Sequence, residues 1–162
     1  FIGFLYAGLM IDKHGAARVI EFNVRLGDPE TQPILMRLKS DLLDLIDAAI
    51  DGRLDRISVS WDSRPALGVV LAAHGYPGKV RSGDVISGCD ATFEPDVKIF
   101  HAGTKLENGA VLTSGGRVLT VCALGDNLEQ AHAKAYAAAR QVQFDGMFFR
   151  RDIGYRGLRA EG

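Results

Sequence analysis

Glu21, Asn23 and Arg25 stand two apart in the run Val19-Ile20-Glu21-Phe22-Asn23-Val24-Arg25, and the turn Gly27-Asp28-Pro29-Glu30 follows with two further acids. In a strand, residues two apart point to one face. The carboxylate, the amide and the guanidinium would therefore project together, while Ile20 and Phe22 pack into the core on the other side. A carboxylate among apolar neighbours needs a partner once buried. Oxygen donors of this kind suit a hard cation such as Mg²⁺, which takes one or two protein ligands and completes its shell with phosphate and water. Spacing alone leaves two readings open. One is a half-exposed strand whose carboxylate is solvated, with Arg25 and the acids forming a surface salt-bridge cluster of small energy. The other is a metal or phosphate site.

Such groups need a strand with a neighbour to hold them. Residues 1–11 are apolar and include Phe4, Leu5, Tyr6, Leu9, Met10 and Ile11. They meet the second run across Asp12-Lys13-His14-Gly15, which is the pattern of a β-hairpin with residues 4–11 antiparallel to the Glu21 strand. Residues 31–38 then read as a helix with Pro33 in its first turn. Ser40 offers an N-cap for a helix over residues 41–51. Leu42, Leu45, Ile46 and Ala49 make its apolar face and Gly52 ends it. The texture changes at residues 61–65, where Pro65 disfavours helix at Arg64. A division into residues 1–63 and 64–162 follows. Beyond it lie short β-like runs over residues 66–73, 97–102, 111–113 and 117–124, separated by glycine-rich turns. One strong helix closes the set, opened by Asp126 and Glu129 as a capping pair, with Leu128, Ala131, Ala135, Tyr136, Ala139 and Val142 on its buried face.

Composition narrows the classes. The chain has 162 residues, 47% apolar and 24% charged, which fits a globular protein of one or two small domains. A formal net charge of −1 gives no basic field for nucleic acid or an anionic membrane. The longest uncharged stretch, residues 65–78, is glycine-rich and too short to span a bilayer. No basic segment of a signal peptide precedes Phe1. The chain opens on an apolar run without Met, as expected of a piece of something longer. Cys89 and Cys122 have no C-x-x-C spacing, so neither zinc nor a disulfide framework is expected, and a reducing cytoplasm fits this usage. Cys122 reads as a small buried hydrophobe.

The stretch E-F-N-V-R-L-G-D-P-E-T-Q-P, residues 21–33, resembles the metal and catalytic strand of the ATP-grasp ligases. With G-F-L-Y-A-G-L-M before it, the stretch is similar to the phosphoribosylamine–glycine ligase (glycinamide ribonucleotide synthetase) family. The likeness continues through K-S-D-L at residues 39–42, G-V-V-L-A-A-H-G-Y-P-G at 68–78, F-H-A-G-T-K at 100–105, G-G-R-V-L at 115–119 and R-R-D-I-G at 150–154. Single blocks are weak; their common order along nearly the whole chain is specific.

The resemblance implies an α+β fold. In it, the C-terminal part of an ATP-grasp core precedes a small β-rich C-terminal domain with one long helix. It implies that Glu21 and Asn23 hold Mg²⁺ (or Mn²⁺) against the phosphates of ATP, which is a substrate. It makes Arg25 the catalytic group that steadies charge on the transferring phosphoryl or the acyl phosphate. Asp28, Pro29 and Glu30 would shape the acceptor site. The implied reaction joins glycine to 5-phosphoribosylamine through a glycyl phosphate, in de novo purine biosynthesis in the cytoplasm. Relatives elsewhere in the superfamily carry a second acidic metal ligand on the preceding strand, whereas residues 4–11 contain no Asp or Glu.

The family places its phosphoribosylamine-binding domain and the ATP-gripping lobe ahead of these blocks, and no G-x-x-x-x-G-K run occurs here. The chain by itself is therefore expected to be inactive and to self-associate through residues 1–11. Two other readings remain at this point: a different ATP-grasp carboxylate–amine ligase or a carboxylase, and a non-catalytic binding module on the same fold. His74 and His101 read as hydrogen-bonded structural histidines and Lys105 as a solvated lysine. The loop around Gly75, Gly78 and Gly83 reads as a tight turn or a substrate cover. Arg117 is a weak candidate donor, and Arg150 and Arg151 read as structural.

Overall fold

Residues 1–160 are described by a computed structural model. They divide into two compact units, Phe1–Thr31 with Leu38–Asp62, and Gln32–Arg37 with the chain from Ser63 on.

In the first unit, β1 (Tyr6–Ile11) and β2 (Ala17–Asn23) pair antiparallel. Asp12 closes the turn between them. Its Oδ1 accepts from the backbone N–H groups of His14 (2.8 Å) and Ala16 (3.0 Å), and Gly15 supplies a left-handed φ of +84°. The pairing is not uniform. Ile11 faces Ala17 and Leu9 faces Val19, but Gly8 faces Glu21 and Tyr6 faces Asn23, so Ile20 is an extra residue in β2. The expectation that Ile20 and Phe22 pack into a core is corrected: they are 63% and 61% exposed, and Leu9, Met10 and Ile11 are about as open. A two-stranded ribbon has no second layer of its own to cover its faces.

Helix α2 spans Leu42–Ile50. Its N-cap is Asp41, not Ser40: Asp41 is extended and its carboxylate accepts from Leu43 N–H at 2.8 Å. Ser40 is used elsewhere, its Oγ accepting from the Ser60 N–H at 2.7 Å beside the Leu38–Trp61 bridge. The expected apolar face is half-buried, and Ala48 is the buried residue.

The second unit holds the core. Its elements are α1 (Thr31–Arg37, all but its first residue), β3 (Ala66–Ala72), β4 (Val97–His101), β5 (Thr104–Glu107), β6 (Ala110–Thr113), β7 (Arg117–Leu124), α3 (Leu128–Ala139) and α4 (Tyr155–Ala160). Strands β3, β7 and β4 form an antiparallel sheet with β7 in the middle, and β5 pairs with β6 in a separate hairpin. Every residue of β7 after Arg117 is buried. This is why residues 118–124 are apolar apart from Thr120 rather than alternating. Helix α3 lays Ala131, Ala135, Tyr136 and Ala139 against Val69, Leu71, Leu119 and Val121. The alanine-rich face lets the helix approach the sheet closely. Burial pushes the Cys122 thiol up to about 12, so it stays protonated and acts as an apolar side chain. Both cysteines are free.

Asn127, not Asp126, caps α3. Its Oδ1 accepts from Gln130 N–H at 2.9 Å, and Gln130 Oε1 accepts from Asp126 N–H at 3.2 Å. The expected capping pair lies one residue too early because Asn127 is the last extended residue. Strand β5 and helix α4 were not legible in advance, being short and bordered by Gly and charged residues.

Two polar clusters tie this unit together. Asp96 accepts from Lys134 (3.2 Å) and Arg64 (2.9 Å), which hold its carboxyl below the usual carboxylate range. Tyr136 donates its hydroxyl to the Arg150 carbonyl at 2.7 Å and accepts from Ile153 N–H at 3.2 Å. That one buried hydroxyl fastens residues 150–153 to α3. Replacing it leaves a backbone donor and acceptor unpaired, so Tyr136→Phe is expected to lose about 1–3 kcal/mol. Urea unfolding should show a lower midpoint at unchanged slope.

Candidate active site

The strand β2 turns Glu21 and Asn23 to the same face. Asn23 Nδ2 donates to Glu21 Oε1 at 3.1 Å, so the amide is oriented by the carboxylate beside it. Opposite them on β1 stand Gly8, facing Glu21, and Tyr6, facing Asn23. Glu21 is exposed and Asn23 half-buried. Past the end of β2 the chain turns through Gly27, which is buried. Thr31 closes that turn, both its N–H (3.0 Å) and its hydroxyl donating to the Gly27 carbonyl. The turn carries a cis Asp28–Pro29 bond. Glu30 folds back so that its Oε2 lies against Gly27, next to the ring of Tyr6.

The side chains of Glu21, Asn23 and Glu30 thus share one neighbourhood around Tyr6 in the first unit. Arg25 is exposed and its guanidinium donates to the Leu26 carbonyl at 2.8 Å. Asp28 is exposed and Pro29 half-buried.

The donor set fits a hard divalent cation. Glu21 retains a second carboxylate oxygen, and Asn23 retains its carbonyl after its N–H is used. Among the described residues there is no cluster of three His, Cys, Asp or Glu able to hold a metal by itself. A cation here would have two protein ligands and take the rest from phosphate and water, as Mg²⁺ commonly does.

Three positions escaped sequence reading: Tyr6, Gly8 and Gly27. Each was visible only as part of an apolar or turn segment. Their role rests on the register of β1 against β2, which the extra residue Ile20 shifts.

The other singled-out residues make local contacts. His101 Nδ1 lies 3.0 Å from Thr104 Oγ1. Lys105 pairs with Glu107. Arg81 anchors the Gly75–Gly83 loop through Asp84 at 2.9 Å and through Asp145. Arg150 grips Asp152 with two bonds, 2.9 and 2.7 Å. A groove of about 390 Å³ runs between Phe93, Val97 and the Ala133–Lys134 side of α3, and none of the expected site residues lines it.

Comparison with known proteins adds the following. The family description "Phosphoribosylglycinamide synthetase, C domain" matches residues 66–156, and "Phosphoribosylglycinamide synthetase, ATP-grasp (A) domain" matches residues 1–31. The chain is 56% identical to a phosphoribosylamine–glycine ligase of Allochromatium vinosum over 99% of its own length and 38% of that protein's. It is 58% identical to one of Neisseria meningitidis over 98% of its length and 37% of that protein's. The chain therefore spans a little over a third of these curated relatives. A crystal structure of a phosphoribosylamine–glycine ligase from Thermotoga maritima superimposes with a TM-score of 0.72 at 36% identity, covering 92% of this chain and 36% of that one. A biotin carboxylase from Campylobacter jejuni superimposes with a TM-score of 0.65 at 13% identity, covering 93% of this chain and 33% of its own, which shows a shared fold alone.

Proposed function

The chain belongs to the phosphoribosylglycinamide synthetase family, and from that premise we propose that it is the C-terminal part of a ligase that joins glycine to 5-phosphoribosylamine. The products are glycinamide ribonucleotide, ADP and phosphate, in the de novo route to purines. The α+β architecture is the end of an ATP-grasp core followed by a β-rich domain with one long helix. We assign residues 1–63 to the core and 64–162 to the C-terminal domain, a division supported by the two family matches on either side of it.

The observation that carries the reading is the Glu21–Asn23 pair on one face of β2, with an oxygen free on each. Mg²⁺ (or Mn²⁺) bound there would neutralise charge on the phosphates of ATP. Glu21 and Asn23 hold that charge in place. Arg25, whose reach lies just past the strand end, stabilises the negative oxygens of the phosphoryl group as it passes to the glycine carboxylate. Asp28, Pro29 and Glu30 shape the side from which the amine attacks the acyl carbon and displaces phosphate. Carboxylates and a guanidinium used this way do no covalent work; they position and neutralise. Cytoplasmic residence is part of the proposal. Two free thiols support it, and no described helix is long and apolar enough to cross a membrane.

The route through a glycyl phosphate makes an isotopic prediction for the complete ligase. Glycine labelled with ¹⁸O in its carboxylate gives one labelled oxygen to the released phosphate, because that oxygen becomes the bridge and leaves with phosphorus. Mass spectrometry of the phosphate reads it directly. Unlabelled phosphate from labelled glycine would remove the acyl phosphate from the scheme.

A further inference from the structure

Gly8 stands directly across from Glu21 in the hairpin, and its missing side chain leaves room that Glu21 occupies. A Cβ built on Gly8 would sit 3.1 Å from Glu21 Cγ, tighter than ordinary van der Waals contact, and 3.7 Å from the Tyr6 ring. Tyr6 in turn lies under Gly27, where a Cβ would come within 3.0 Å of the ring and overlap Glu30 Oε2. Two glycines and one aromatic ring therefore make a floor, and both carboxylate stems lie on it. Gly8 has no left-handed φ. Its backbone does not call for glycine, but any side chain there would press on the Glu21 stem, which would have to give by a few tenths of an ångström.

We infer that Gly8 is a positioning residue for Glu21: the bare backbone of β1 fixes how the Glu21 side chain lies and so aims its carboxylate, with Asn23, at a divalent cation. The bulge at Ile20 is part of the device. If the Leu9–Val19 register continued without the bulge, Gly8 would face Ile20 and the Glu21 stem would meet the side chain of Ala7 instead. Gly27 and Tyr6 confine Glu30 in the same way, with the Tyr6 ring common to both carboxylates.

This inference rests on the reading of Glu21 as a metal ligand, so the experiment separates the two. The ¹⁵N-labelled 162-residue chain is titrated with Mn²⁺ alone, and paramagnetic broadening of the Asn23 side-chain amide signal gives an apparent Kd. In the metal-free spectrum the same signal reports the Asn23–Glu21 hydrogen bond. Glu21→Gln should abolish the site-specific broadening. Gly8→Ala should raise the apparent Kd about tenfold, the scale of disturbed support around a metal ligand, and shift the metal-free Asn23 signal. In Gly8→Ala the backbone amide signals of β1 and β2 away from Gly8 should keep their wild-type positions, which a general loosening of the hairpin would not allow. Gly8→Ser, run in parallel, presses on the same stem and should match Gly8→Ala. Unchanged broadening in Glu21→Gln overturns the ligand reading, and the metal-free Asn23 shift still decides the role of Gly8. Wild-type Kd and an unmoved Asn23 signal in both Gly8 variants overturn the inference while leaving Glu21 a ligand.

Discussion

In the complete ligase, Glu21→Gln is expected to lower kcat by about 10³-fold, near the upper end of what removal of a single transition-state-stabilising group costs, while stability hardly moves. The two halves of that expectation come from different facts. Glu21 is exposed on β2 and its carboxylate accepts from the Asn23 amide, a bond that glutamine can still accept through its own carbonyl. Exposed substitutions of this sort stay within about 0.5 kcal/mol. The chemistry is less forgiving. Phosphoryl transfer leaves the protein little to do except position groups and neutralise charge. If Glu21 holds the cation that does the neutralising, a neutral amide in its place weakens that hold. Steady-state kinetics at saturating Mg²⁺, with a thermal melt on the same preparation, tests both halves. Turnover near that of the wild type would remove Glu21 from the metal site. A fall in melting temperature large enough to explain the lost activity would make the residue structural.

Glu21, Asn23 and Arg25 drew attention because they are chemically unusual where they stand, but the metal reading came from the resemblance carried by residues 21–33. A carboxylate and an amide two apart in an apolar run fit a solvated strand as well as a metal site, and period two cannot separate them. The central strand β7 was legible to the residue, since a strand buried on both faces carries no charge after its first residue to blur its ends. What failed was everything that depends on pairing. Ile20 and Phe22 read as core because alternation marks a face without saying whether anything covers it, and here they are more than half exposed. The bulge at Ile20 left no mark in the sequence, so Gly8 and Tyr6 could not be set opposite Glu21 and Asn23. The caps moved by one residue for a related reason. Ser40 and Asp41 are both good caps, as are Asp126 and Asn127, and the choice is made by which residue stays extended and what else needs the rejected side chain. Ser40 is taken by Ser60, and Asp126 offers its backbone N–H to Gln130.

The 162-residue polypeptide by itself is expected to form no measurable glycinamide ribonucleotide from ATP, glycine and 5-phosphoribosylamine. Rate acceleration in phosphoryl transfer comes from donors fixed around the γ-phosphate before reaction begins. The chain offers one carboxylate–amide pair and one exposed arginine for that task. It contains no G-x-x-x-x-G-K run to cradle phosphates through backbone N–H groups. The face bearing Glu21 is open to solvent, where charges are screened and water competes for every ligand position. The ATP-grasp family description matches only residues 1–31, and the curated relatives are more than twice as long. A cation held by two protein ligands can still visit such a site, so the polypeptide should retain weak Mn²⁺ binding while losing the reaction. Incubation with [¹⁴C]glycine, freshly made phosphoribosylamine and Mg-ATP, followed by anion-exchange separation, measures the product. Counts above those of a Glu21→Gln control would mean that the pair, Arg25 and the Gly27–Glu30 turn suffice for chemistry. Counts at the control level, alongside Mn²⁺ broadening of the Asn23 signal, would show metal binding and catalysis to be separable.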